Sequence, residues 1–151
     1  MNSINELLVV LAKQKDNLEN FFSAAKLKQQ SLVENNHEMF DEALKSEEKY
    51  LAALNQAEKE RENILIRLFE RNLTPVEKKL ETLKNLLKDK ITEEEWEKLS
   101  QLQIGIKDIA KRITLINSQN LFLIKTAREF LITTVNTLIK DRRKVIIDRK
   151  V

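Results

Sequence analysis

Apolar residues recur three and four positions apart along most of this chain, the spacing of helices buried along one stripe. From Ser3 to Val33 the row is Ile4, Leu8, Leu11, Leu18, Phe22, Ala25 and Leu32, weakened where Lys15 and Gln29 fall in it. Ser3 and Glu6 form a candidate capping box at its start. Asn35 and Asn36 tolerate turn and left-handed backbone, so the first break is predicted there. A second helix follows from about His37 to Asn72, with Phe40, Leu44, Leu51, Leu54, Leu65 and Leu68 on its inner face. Glu47, Glu58 and Arg61 fall on or near that face and predict ion pairs between helices, of small weight if exposed.

Thr74-Pro75-Val76-Glu77 reads as a helix start, because threonine caps, proline suits the first helical position and glutamate completes the box. This third helix carries Val76, Leu80, Leu83 and Leu87 and ends near Asp89. Thr92 and Glu95 open the fourth in the same way, and Trp96 begins its stripe. The stripe continues through Leu99, Leu102, Ile106, Ile109, Ile113, Ile116, Asn120, Leu123, Ala127 and Phe130, with one amide in line with the core. Gly105 lies inside it, costs about 1 kcal/mol relative to alanine, and predicts close approach of a neighbouring helix, with a slight kink as the alternative.

From Leu121 the fourth helix becomes apolar on more than one side. Leu121, Phe122, Leu123 and Ile124 are consecutive and start rows through Leu131, Val135 and Leu138, and through Ile132 and Ile139. The fourth helix spans roughly 50 residues or about 75 Å, against about 35 residues and 50 Å for its partners. If the chain folds back on itself, the segment beyond Leu121 lacks partner length while carrying surplus apolar surface. A protein that works by binding is the reading.

The fold class predicted is all-α, an elongated antiparallel, coiled-coil-like bundle of three long helices and one short one. One glycine and one proline in 151 residues leave little turn chemistry for strands. Residues 1–139 form one helical domain, and 140–151 a basic extension of the last helix whose order the sequence leaves open. Without cysteine, no disulfide or thiolate site exists. The apolar run Leu7 to Ala12 is too short for a membrane span and lacks the flanks of a signal peptide, so a soluble cytoplasmic protein is expected.

The net charge of +3 is local. Lys140, Arg142, Arg143, Lys144, Arg149 and Lys150 oppose only Asp141 and Asp148 in the final dozen residues. Of these, Arg142, Arg143 and Lys144 mark a candidate electrostatic tip, although a basic helix end also suits the dipole. Aromatic residues for base stacking are missing from it, so nucleic acid is not the expected partner. His37 is the single histidine and reads as a solvated first residue of a helix rather than a zinc ligand. The carboxylates Glu47, Glu48 and Glu93 to Glu95 read as surface or helix-start charge. No phosphate loop or nucleophile–histidine spacing is present. Neither an enzyme, a cofactor nor a small-molecule substrate is expected.

Three stretches resemble the FlgN family of flagellar type III export chaperones. Leu32-Val33-Glu34-Asn35-Asn36 is similar to the family's corner between its first two helices. Ser46-Glu47-Glu48-Lys49-Tyr50-Leu51-Ala52-Ala53-Leu54, followed by Glu58 and Arg61, resembles its acidic run. Asn117, Asn120 and Leu123, then Ala127 and Phe130, resemble the pattern on its last helix. The resemblance implies a small helical bundle that holds hook–filament junction (hook-associated) proteins before export. It also implies that the client's terminal helices bind the C-terminal region and that the complex passes to the export gate. The tail departs from the family, since Lys140 to Val151 has neither the glycine nor the tyrosine of many relatives.

Resemblance and apolar pattern together give the expected client-binding residues Asn117, Asn120, Leu121, Ile124, Arg128, Leu131, Val135 and Leu138. For Asn120 the competing reading is a buried amide that fixes helix register at some cost in stability. The rival for the whole face is a homodimer or other homo-oligomeric structural or adaptor coiled coil, with nucleic-acid association through the tip as a variant.

Overall fold

Helix α1 (Ser3–Glu34) is the central helix of the structure, flanked on one side by α2 (His37–Phe69) and on the other by α4 (Glu93–Lys150). A computed structural model describes the backbone of residues 3–150 and the side chains of residues 3–144. The side chains of Val145, Ile146, Ile147, Arg149 and Lys150 therefore lie outside the described residues. Because α1 is sandwiched, it buries two stripes instead of the single row predicted. Leu7, Val10, Ala24 and Ser31 join Ile4, Leu11 and Ala25 inside. The polar interruptions Lys15 and Gln29 both turn to α4, Lys15 across Gly105 and Gln29 onto Gln119 at 2.9 Å.

The first break forms where the asparagines predict it. Asn35 takes a left-handed φ of 53°, and Asn36 caps α2 through a 3.1 Å bond from the Met39 backbone N–H. The result is a hairpin: Lys28 meets Glu47 near its top, and Glu6 meets Arg67 near its base. Ser3 is already helical, so it does not act as the cap of α1, and Glu6 serves the hairpin instead. Helix α2 ends earlier than Asn72, at Phe69, where Glu70 turns left-handed at φ 55°. Leu51 is exposed, off the predicted inner face; the alanines Ala43 and Ala57 take the contact and let the helices approach closely.

The Thr74–Glu77 box forms, with bonds of 3.0 and 3.2 Å, but it holds only an isolated turn. Lys79 is extended at ψ 136°, and the regular helix α3 (Leu80–Leu87) starts after it. Leu83 and Leu87 face inward, at helical spacing, and complete a base cluster with Leu7, Leu11, Leu65 and Leu99. The large core side chains are concentrated there, whereas the upper half of the hairpin closes over alanines. Arg61 ties the loop to this base. It donates to both Glu58 oxygens at 2.6 and 2.9 Å and to the Lys78 carbonyl at 3.0 Å, while Gln14 of α1 donates to Glu58 at 3.0 Å.

The Thr92–Glu95 box opens α4 as predicted, with bonds of 3.1 and 3.2 Å. Helix α4 runs in the same direction as α1, since α3 reverses the chain once more at the base. It has 58 residues against 32 in α1, or about 87 Å against about 48 Å. The accessible surface is 10995 Å², well above the roughly 8,000 Å² of a compact monomer of 17.7 kDa, so the molecule is elongated.

Candidate functional site

The predicted seam of α4 is inside the bundle as far as Asn120. Leu99, Ile109, Ile116 and Asn120 are buried, and Leu102, Ile106 and Ile113 half-buried. Asn120 donates from Nδ2 to the Ala25 carbonyl at 2.9 Å, while its Oδ1 is buried without a partner. Beyond it only Leu123 retains half-burial among the described side chains. The 3–4 row continues into Ala127 and Phe130, but α1 has ended, so both are exposed.

A second row lies one residue ahead of that seam, through Asn117, Leu121, Ile124, Arg128, Leu131, Val135 and Leu138. At 3.6 residues per turn it is rotated about 100° from the buried face. Steps of three and four over three heptads give a coiled-coil stripe, with Leu121, Arg128 and Val135 at a and Asn117, Ile124, Leu131 and Leu138 at d. Every one of these residues is exposed, from 38% for Ile124 to 68% for Leu121 among the apolar ones. Of the candidate residues, seven therefore share this outward stripe, and Asn120 alone turns inward to α1. Phe122, Phe130, Ile132 and Ile139, outside the expected binding set, are exposed around the same segment and broaden its apolar girth. Arg142, Arg143 and Lys144 are exposed on the helix beyond it.

Single exposed apolar residues are ordinary, but a contiguous apolar surface along more than five turns of one helix marks an interaction site. A concavity of 500 Å³ lies at the start of this segment, between Gln29 of α1 and Ser118, Phe122 and Leu123. A groove of similar size, 510 Å³, lies between α1 and α2 and is lined by Val9, Val10 and Ile64. The pairs Lys13–Glu60 and Glu6–Arg67 connect its two walls. Helix docking uses ridges and grooves of a helix surface and needs no cavity, so the α4 stripe is the stronger candidate.

No comparable site for chemistry emerges. Glu47 faces Lys28, with Oε1 at 2.9 Å outside hydrogen-bond geometry and Oε2 accepting at 3.1 Å. This is the ion pair between helices that Glu47 near the inner face predicts, and with both side chains under 15% exposed it is largely buried. Burial would raise the Glu58 carboxyl; Arg61, then Gln14 and Lys78, outweigh it and hold it below the usual glutamate range. His37 is exposed at the start of α2. Among the described residues no cluster of three histidine, cysteine or acidic side chains is arranged to hold a metal ion. No helix among them is long and apolar enough to cross a membrane.

Fold and surface thus define an all-helical bundle that extends one helix, with exposed apolar residues, past its neighbours. The family model described as FlgN protein matches residues 1–145, and the chain belongs to the FlgN family, a family of flagellar export chaperones and not of enzymes. No curated protein matches the chain, and no solved structure does. Two of the motif residues that carried the resemblance, Glu58 and Arg61, have a structural task here: they fasten α1, α2 and the loop before α3.

Proposed function

We propose that this chain is the export chaperone of hook–filament junction proteins and binds their terminal helices along α4 beyond Asn120. The observation that carries this reading is the exposed heptad stripe from Asn117 to Leu138, on a helix that has outrun both of its neighbours. A client helix with its own 3–4 repeat buries this stripe and loses access to other subunits. Masking is the whole mechanism: a sequestered helix is removed from the polymerisation equilibrium by mass action. Binding is reversible, so that the complex forms in the cytoplasm and releases its client at the membrane export gate.

Residues 1–139 act in this reading as one binding domain and 140–151 as its basic extension. Asn120 serves indirectly, fixing where α4 leaves α1 and the free stripe begins. Arg142, Arg143 and Lys144 add an electrostatic end that salt screens.

Light scattering on the purified chain, alone and with a purified hook–filament junction protein, tests the proposal. A defined hetero-complex is expected, lost in the I124E/L131E variant while its thermal unfolding stays within about 2 °C of wild type. A stable homo-oligomer that ignores the client would assign the stripe to self-association and end the export reading.

A further inference from the structure

The α4 stripe contains one residue that an ordinary hydrophobic seam lacks. Arg128 occupies an a position midway between Ile124 and Leu131, and it is exposed with no ion pair among the described residues. Lys125 flanks it at e, and the neighbouring Glu129 lies at b, off the seam. From Leu121 to Lys144 the helix carries six basic and two acidic residues, so the field around the stripe is positive.

A cation within an apolar seam constrains what covers it. Burying Arg128 without a counter-charge carries a large desolvation cost, and burying it against a carboxylate recovers that cost with directional hydrogen bonds. Self-pairing supplies no carboxylate at a core position, and Asp141, the acidic residue nearest the seam, stands beside it at g, nearly two heptads from Arg128. In a parallel pair of copies the a positions meet, and two Arg128 guanidiniums face each other. In an antiparallel pair each faces a d residue, drawn from Asn117, Ile124, Leu131 and Leu138, none of them anionic.

Resting on the proposed role of α4, we infer that the helix it takes is an acidic amphipathic one with a heptad apolar seam. At one core position that helix presents a carboxylate to Arg128. The same arginine disfavours a second copy of this chain on the stripe. Specificity here comes as much from the penalty on wrong partners as from attraction to the right one. Arg128 thereby sets the register of the client helix, as a polar a residue does in a coiled coil.

The test uses the full chain and a purified hook–filament junction protein, with affinity measured by titration calorimetry. R128E is expected to weaken binding at least tenfold, as close charge pairs at desolvated interfaces do. One acidic-to-lysine change in the client's terminal helices is expected to restore most of that loss. R128L is expected to bind the client about tenfold more weakly while gaining a dimer visible by light scattering. Undiminished client binding by R128E or R128L overturns the inference, and so does failure of every lysine change to rescue. If those variants bind normally while I124E/L131E does not, the docking role of α4 survives without the charge pairing. If the wild-type chain binds no client, both fall together.

Discussion

Asn120 is joined to the Ala25 carbonyl by a 2.9 Å hydrogen bond, and this is the last fully buried contact of α4 with α1. The carbonyl keeps its own helical bond and accepts this one on its second lone pair. The amide's Oδ1 has no partner, so the contact positions the helix more than it stabilises it. Asn120→Leu is expected to leave unfolding stability in urea within about 1 kcal/mol of wild type, since an apolar replacement relieves the unpaired oxygen. Asn120→Asp is expected to lose about 2 kcal/mol or more, because it sets a carboxylate against a carbonyl. Equal costs for the two would remove the positioning role.

Gly105 and Lys15 make a second contact between these helices. A Cβ on Gly105 would lie 2.7 Å from Lys15 Cε, the flexible end of a side chain and not backbone. The close approach predicted from the glycine is therefore made by a movable lysine stem. Gly105→Ala is expected to raise stability by up to about 1 kcal/mol, or about 2–4 °C in Tm. A fall in Tm on calorimetry would mean that Lys15 has nowhere else to go.

The Lys28–Glu47 pair sits in the thin, alanine-lined part of the hairpin, with side chains only 14% and 13% exposed. Removing either partner alone strands a charge there and is expected to cost about 2 kcal/mol. The double change K28M/E47L is expected to recover most of this loss, as apolar replacements of buried pairs do. Additive losses in that cycle would contradict the pairing.

Acid is expected to loosen the base of the bundle. Glu77 is pushed down to about 2, first by the Arg71 hydrogen bonds and then by the Thr74 backbone N–H. Glu58 is also lowered. Folded values below the ordinary 4.5 mean that both carboxylates stabilise the fold above that pH and lose their contribution as pH falls through the folded value. Urea titrations should therefore show stability declining between about pH 4.5 and 2, less steeply in E58Q or E77Q. Both carboxylates are partly exposed, so high salt should weaken the contributions of Glu77 and Glu58 alike.

How much of this was legible in the sequence depends on what each pattern reports. Caps are local, so Thr74 with Glu77 and Thr92 with Glu95 form where spacing places them, and the break falls at Asn35-Asn36 as expected; Ser3 with Glu6 is the exception, since Ser3 is already helical. Whether a helix continues past its cap is not local: Lys79 turns extended because α3 must drop onto Leu7 and Leu99. Periodicity names the face that could be buried, and Ala127 and Phe130 keep the seam's period after burial stops. Only relative helix length tells where cover ends, and that reasoning placed the overhang near Leu121. The second stripe of α1 escaped because its small members Ala24 and Ser31 carry a weak apolar signal, although they are buried by two neighbours at once.

Hydrogen–deuterium exchange along α4, with and without a purified hook–filament junction protein, tests the central claim most directly. Free, residues 124–144 should exchange fast and 93–120 slowly, because past Leu123 every described side chain of α4 is exposed. On adding the client, protection should appear within 121–144 and leave 93–120 unchanged. Protection confined to the Val9–Ile64 groove, or none anywhere, would contradict the assignment of α4 as the client-binding helix.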